Sequence, residues 1–161
     1  MQLSSSVRQG EYAPRDATVF YIGFTTARTD EEGWRHAFGG LELGAASDAF
    51  VADLGVWTMS EYEAQWREAI ARLAAGKPSS ALVTSYAGPG DVIHSMRPMW
   101  RVGNTVFFQE RLVSERDIER TIVADQFYEL VGERSTSGDG GKAISEWAVP
   151  FPDVLAFIAT E

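Results

Sequence analysis

The chain has 161 residues, 45% of them apolar, which is enough for one domain with its own core. It has no cysteine, which excludes disulfides, thiolate catalysis and cysteine-ligated zinc. The 23 Asp and Glu against 14 Lys and Arg give a formal charge of −9, so the basic footprint of direct nucleic-acid binding is missing, and an acidic exterior suits cationic partners instead.

Residues 1–16 are polar and are expected to pack loosely. Met1 to Arg8 lack the apolar stretch of a secretory signal, and no run approaches the ~18 apolar residues of a membrane span. The cytoplasm is therefore the expected location, with no membrane contact. Thr18 to Phe24 is rich in β-formers and predicts a first strand. Thr25 to His36 is polar, contains Asp30, Glu31, Glu32 and Gly33, and is read as a loop. Phe38 to Gly44 and Ala49 to Leu54 are read as strands, with a turn near Ala46–Asp48 between them.

A helix is predicted over about 60–75. Ser60 and Glu63 have the spacing of a capping box. Tyr62, Trp66, Ala69, Ile70 and Leu73 then share one helical face, and Glu63–Arg67 and Glu68–Arg72 are i,i+4 pairs in the favourable order. Gly76 ends the helix and Pro78 follows.

Ser80 to Tyr86 predicts a strand, and Gly88 to Asp91 a turn. Met96 to Val102 and Thr105 to Val113 flank Gly103-Asn104, a hairpin signal that sets Val102 opposite Thr105 and Trp100 opposite Phe107. Pro98 then falls where the ladder needs an N–H, so pairing is expected to end or bulge there. Ser114 to Asp117 has the composition of a helix cap, and Thr121 to Val131 is ambiguous between helix and strand. Glu133–Ser137 and Lys142–Val149 are read as two strands around a glycine-rich turn, and Asp153–Ala159 as a short helix. Consecutive strands with few helices indicate one α+β domain over 1–161, a mainly antiparallel sheet packed by one well-defined helix and a few short ones.

Chemistry-bearing motifs are sparse. Asp91, His94 and Ser95 lie close in sequence, but triads are recognised by geometry, and a turn carrying these residues is common. Gly138-Asp-Gly-Gly-Lys142 departs from a phosphate loop in its leading position, Thr136, and in Ala143 after the lysine. Two histidines and scattered carboxylates give no basis for a metal site or other cofactor.

Charge is uneven: His36 to Trp66 holds Glu42, Asp48, Asp53, Glu61 and Glu63 and no Lys or Arg. Of the five tryptophans, Trp66 is expected in the core, whereas Trp34 sits among charged residues, as an interface anchor would.

Three segments, Trp57 to Trp66, Met99 to Gln109 and Asp139 to Trp147, resemble in order and spacing the small bacterial immunity proteins of contact-dependent growth inhibition systems, the CdiI type. The likeness runs from about Phe38 to Phe157, and residues 1–37 lie outside it. It implies a non-enzymatic intracellular protein that binds a delivered toxin domain, often a nuclease, and blocks it. The resemblance transfers no catalytic or binding residues. Candidate toxin contacts, chosen for charge and exposure, are Asp30, Glu31, Glu32, Trp34, Glu42, Asp48 and Asp53. The rival readings are a small hydrolase using His94 and Asp91, and a homo-oligomeric or ligand-binding module. The sequence leaves the oligomeric state open.

Overall fold

Three strands early in the chain form an antiparallel meander, β1 (Phe20–Thr29), β2 (Arg35–Leu43) and β3 (Ala46–Asp53). The computed structural model describes residues 20–88, 93–114, 124–138, 141 and 143–159. Strand period two sorts the side chains between two faces. Phe20, Ile22, Leu41, Leu43, Phe50 and Ala52 are buried on the inner face, while Tyr21, Phe38 and Val51 are exposed on the outer one. Gly39 lies opposite Phe50, and a Cβ there would meet the phenyl ring at 2.3 Å, so only glycine fits beneath that ring.

The expected loop over Thr25–His36 is largely strand. Thr25 to Thr29 continue β1 beyond a bulge between Phe24 and Thr26, and β2 begins at Arg35. These β1 residues are solvent-exposed, so no apolar alternation is imposed on them. The chain reverses only over Asp30–Trp34. The next turn is also earlier than expected, at Gly44-Ala45, where Gly44 takes φ +72°.

Helix α1 (Met59–Ala74) is capped by Thr58, two residues before the predicted cap. Thr58-x-x-Glu61 has the same spacing as Ser60-x-x-Glu63. Thr58 is the residue with extended backbone, and it exchanges reciprocal hydrogen bonds with Glu61 of 2.8 and 3.2 Å. Trp57 closes the entry by packing edge-on against Tyr62 at 5.0 Å. At the far end Gly76 takes φ +105°, and the N–H groups of Gly76 and Lys77 bond to the carbonyls of Leu73 and Arg72, a Schellman ending.

The second sheet is built around the long strand β5 (Ile93–Val102). On one side it pairs with β4 (Ser79–Ser85). On the other it pairs with β6 (Thr105–Phe108) and β7 (Arg111–Ser114), and β8 (Trp147–Pro150) extends from β6. The hairpin register is the predicted one, with Gly103 at φ +63°. Pairing stops at Met99↔Phe108 and resumes in the same register at Met96↔Arg111. Between them Pro98 accepts from the Gln109 N–H at 3.1 Å and has no N–H to return.

Alternate residues of β5 point two ways. Arg97 and Met99 face the first sheet, where Phe108 stacks on Phe20 at 5.4 Å. His94 and Trp100 face the segment around the 3-10 helix Ala124–Leu130, so the middle of this sheet is covered on both sides. Helix α1 covers the free edge of β4. Gln65 donates to the Ala81 carbonyl and accepts from the Val83 N–H, both at 2.8 Å, and Trp66 Nε1 donates to the Val83 carbonyl.

Thr121–Val131, ambiguous in sequence, contains that 3-10 helix. Glu133–Ser137 is not a strand. One bridge, Ser137↔Ala143, remains of the expected pair, and the strand within Lys142–Val149 shortens to β8, because side chains hold this stretch instead: Gln109 Nε2 donates to the Ser135 carbonyl and to Glu146. The C-terminal helix α2 (Phe151–Ala159) begins two residues earlier than predicted. The proposed Ser114–Asp117 cap and most of the Gly88–Asp91 turn lie outside the described residues.

Candidate functional site

The Asp30–Trp34 turn is built by one carboxylate. Asp30 Oδ1 accepts from the N–H of Glu32 at 3.0 Å and of Trp34 at 2.8 Å, and Gly33 takes the left-handed φ of +89° that closes the reversal. Glu31 and Glu32 are thereby presented outward. Trp34 leaves the turn on the outer face of the first sheet. Its indole is 44% exposed yet fixed: Nε1 donates to Asp53 Oδ2 at 3.0 Å, and the ring stacks on His36 at 4.2 Å. Phe38, two residues further on the same face, meets His36 edge-on at 5.2 Å.

Asp53 connects this surface to the core. Its other oxygen accepts from the Gly55 N–H at 2.6 Å, its own N–H donates to Ser85 Oγ, and its carbonyl accepts from the Tyr62 hydroxyl at 2.6 Å. Burial pushes the Tyr62 hydroxyl up to a pKa of about 12, so it remains a donor across the physiological range. A chain of hydrogen bonds thus runs from an exposed indole to a buried side chain of α1.

Five of the seven candidate residues, Asp30, Glu31, Glu32, Trp34 and Asp53, converge at this end of the sheet. Glu42 shares the outer face but lies eight residues along β2 from Trp34, about 27 Å at strand rise. Asp48 points the other way and meets the buried Arg97 at 2.6 Å, with Glu110 at 3.7 Å on the same guanidinium. Burial opposes ionisation of Asp48, but the hydrogen bonds from Arg97 and from the Ala49 N–H, with the arginine charge, outweigh it and hold the carboxyl below its ordinary range.

Sequence reading overlooked Phe38 and Val51 as surface, and the buried His36 ring that Trp34 stacks on and Phe38 meets edge-on. The signal was present: Leu41 and Leu43 fix the inward phase of β2, which sends Trp34, His36 and Phe38 outward.

His94 is fully buried. Its Nδ1 accepts from the Ala87 N–H at 3.1 Å, and its ring packs against Tyr86 and Phe127. Ser95 is hydrogen-bonded to Thr84, and Asp91 lies outside the described residues. Among the described residues no three His, Asp or Glu side chains are grouped to hold a metal ion, and no helix is long and apolar enough to cross a membrane.

Comparison with known proteins places the chain. No curated protein matches it. One chain of a solved structure, the "CdiA-CT/CdiI toxin and immunity complex from Enterobacter cloacae", is similar at 18% identity with a TM-score of 0.78, over 88% of this chain and 97% of that one. That likeness is one of fold. Residues 52–157 match the sequence pattern of the CdiI N-terminal domain. Most of the chain is covered by that match, and the protein belongs to the CdiI N-terminal domain family.

Proposed function

We propose that this protein is an immunity protein, which binds a cognate contact-dependent growth inhibition toxin domain in the cytoplasm and neutralises it by occlusion, with no reaction of its own. Membership of the CdiI N-terminal domain family is the observation that carries this reading. The surface chemistry agrees with it. A fixed, half-exposed tryptophan beside Glu31, Glu32 and Asp53 combines an aromatic anchor with charge that attracts a cationic partner. Glu42 stands toward the other end of the same face, whereas Asp48 is turned inward and paired with Arg97. A nuclease, whose substrate cleft is cationic, is the toxin class that a net charge of −9 suits best.

The test is direct. The toxin domain encoded by the neighbouring gene is produced with this protein, and the complex is purified and titrated. A stable stoichiometric complex with loss of toxin activity is expected. No binding at micromolar concentrations would reject the proposal.

A further inference from the structure

We infer that the outer face of the β1–β2–β3 sheet, from Trp34 through Phe38 and Val51 to the floor at Gly40, is the surface that seats the toxin, taking an apolar side chain flanked by Lys or Arg. The inference rests on the immunity reading above. Four of the eight large apolar side chains exposed among the described residues, Tyr21, Trp34, Phe38 and Val51, belong to this sheet or to its leading turn. Phe38 and Val51 are direct cross-strand partners, so they form one continuous apolar ledge beside the Trp34–His36 stack.

Past that ledge the face is flat. Gly40 pairs with Gly23, and the Tyr21 ring lies back over Gly23, its hydroxyl 2.1 Å from where a Cβ would stand. Above Gly40 there is room: a Cβ built there meets nothing closer than the Asp48 carbonyl at 3.6 Å. The ledge on one side and Tyr21 with its partner Glu42 on the other bound a shallow seat.

Charge selects the occupant. At the turn end Asp30, Glu31, Glu32 and Asp53 outnumber Arg28 and Arg35, and at the other end stands Glu42. An apolar centre with acidic ends fits a partner whose apolar contact is ringed by cations. The position in the chain points the same way. The family pattern starts at residue 52, leaving β1, β2 and nearly all of β3 outside it. The 88% of the chain that superposes on the solved immunity complex is more than residues 52–161 can supply, so the likeness in shape extends into the first sheet where the family sequence pattern does not. A shared frame carrying an individual face is what recognition of one toxin among many requires.

The experiment measures affinity for the cognate toxin domain with wild type, Trp34→Ala, Val51→Lys and Gly40→Leu, and with Val102→Lys as a distant exposed control. Gly40 has room for a Cβ and no left-handed φ, so Gly40→Leu places a side chain in the seat without straining the backbone. The expected result is at least ~30-fold weaker binding for Trp34→Ala, the loss typical of a hot spot, and at least ~10-fold for Val51→Lys and Gly40→Leu. Melting temperatures stay near wild type, and Val102→Lys binds normally. Wild-type binding with all three face variants unaffected would overturn the inference and leave the immunity reading standing. Absence of wild-type binding would remove both. A wild-type dimer that Gly40→Leu dissociates, with toxin affinity unchanged, would assign the face to a second copy of the chain and also overturn it.

Discussion

The two sheets handle their surfaces in opposite ways. The second sheet is covered on both sides through its middle, leaving Ile93, Val102 and Leu112 exposed toward strand ends, and its β4 edge is closed by Gln65 and Trp66 of α1. The first sheet buries one face, leaves the other open, and spends its polar bonds on holding an exposed indole still. The lesson is a division of labour between faces: the second sheet and the inner face of the first build the core, and the outer face of the first sheet carries side chains that the core does not use. Substitutions should therefore be costly to folding on the buried faces and costly to binding on the outer face of the first sheet.

The largest folding effect is expected at Trp66. Trp66→Ala removes a fully buried ring and the donor to the Val83 carbonyl, and should cost about 3–5 kcal/mol in denaturant unfolding. Asp48→Asn tests the ion pair between the sheets. Breaking a fully buried pair costs about 3–5 kcal/mol, but Asp48 is one-third exposed and Glu110 still reaches Arg97, so about 2 kcal/mol is expected after discounting for solvent. The folded Asp48 pKa is depressed, so its stabilisation is present above the unfolded value of 3.8 and is lost as pH falls through the folded value. Glu146 behaves likewise below its ordinary 4.5, held down chiefly by Arg134. Asp48→Asn should therefore flatten the acid limb of the stability profile, and an unchanged limb would remove Asp48 from the account.

Gln65→Leu leaves the Ala81 carbonyl and Val83 N–H without their side-chain partner at the covered edge, for about 2 kcal/mol. Thr58→Ala should cost about 1 kcal/mol, which distinguishes the observed cap from Ser60, whose replacement should cost less. Smallest is Val51→Lys on the open face, within about 0.5 kcal/mol of wild type. A large loss of stability there would show that the face is not free.

Legibility in the sequence followed the range of the forces involved. The helix face from Tyr62 to Leu73, the Gly103-Asn104 hairpin and the break at Pro98 all follow from local rules, and all are present. The reading at Ser60-x-x-Glu63 missed the overlapping Thr58-x-x-Glu61, although a local signal marked it: Trp57 and Tyr62 stand at the N′ and N4 positions of the Thr58 cap and pack together. Thr25–Thr29 was misread because an exposed strand carries no apolar period. In the site, the acidic residues of the Asp30–Trp34 turn were found by composition. The bond that unites Trp34 with Asp53 spans nineteen positions and leaves no local trace. Asp48 was chosen for its charge, and only the sheet register reveals that it turns inward to Arg97.

The central claim is that this protein acts by covering its partner. Its most direct test is an activity titration of the cognate toxin domain with the purified protein. One equivalent should abolish toxin activity, with a sharp end point and full recovery of active toxin when the complex is dissociated. Inactivation by a small fraction of an equivalent, or toxin that returns chemically altered, would contradict it.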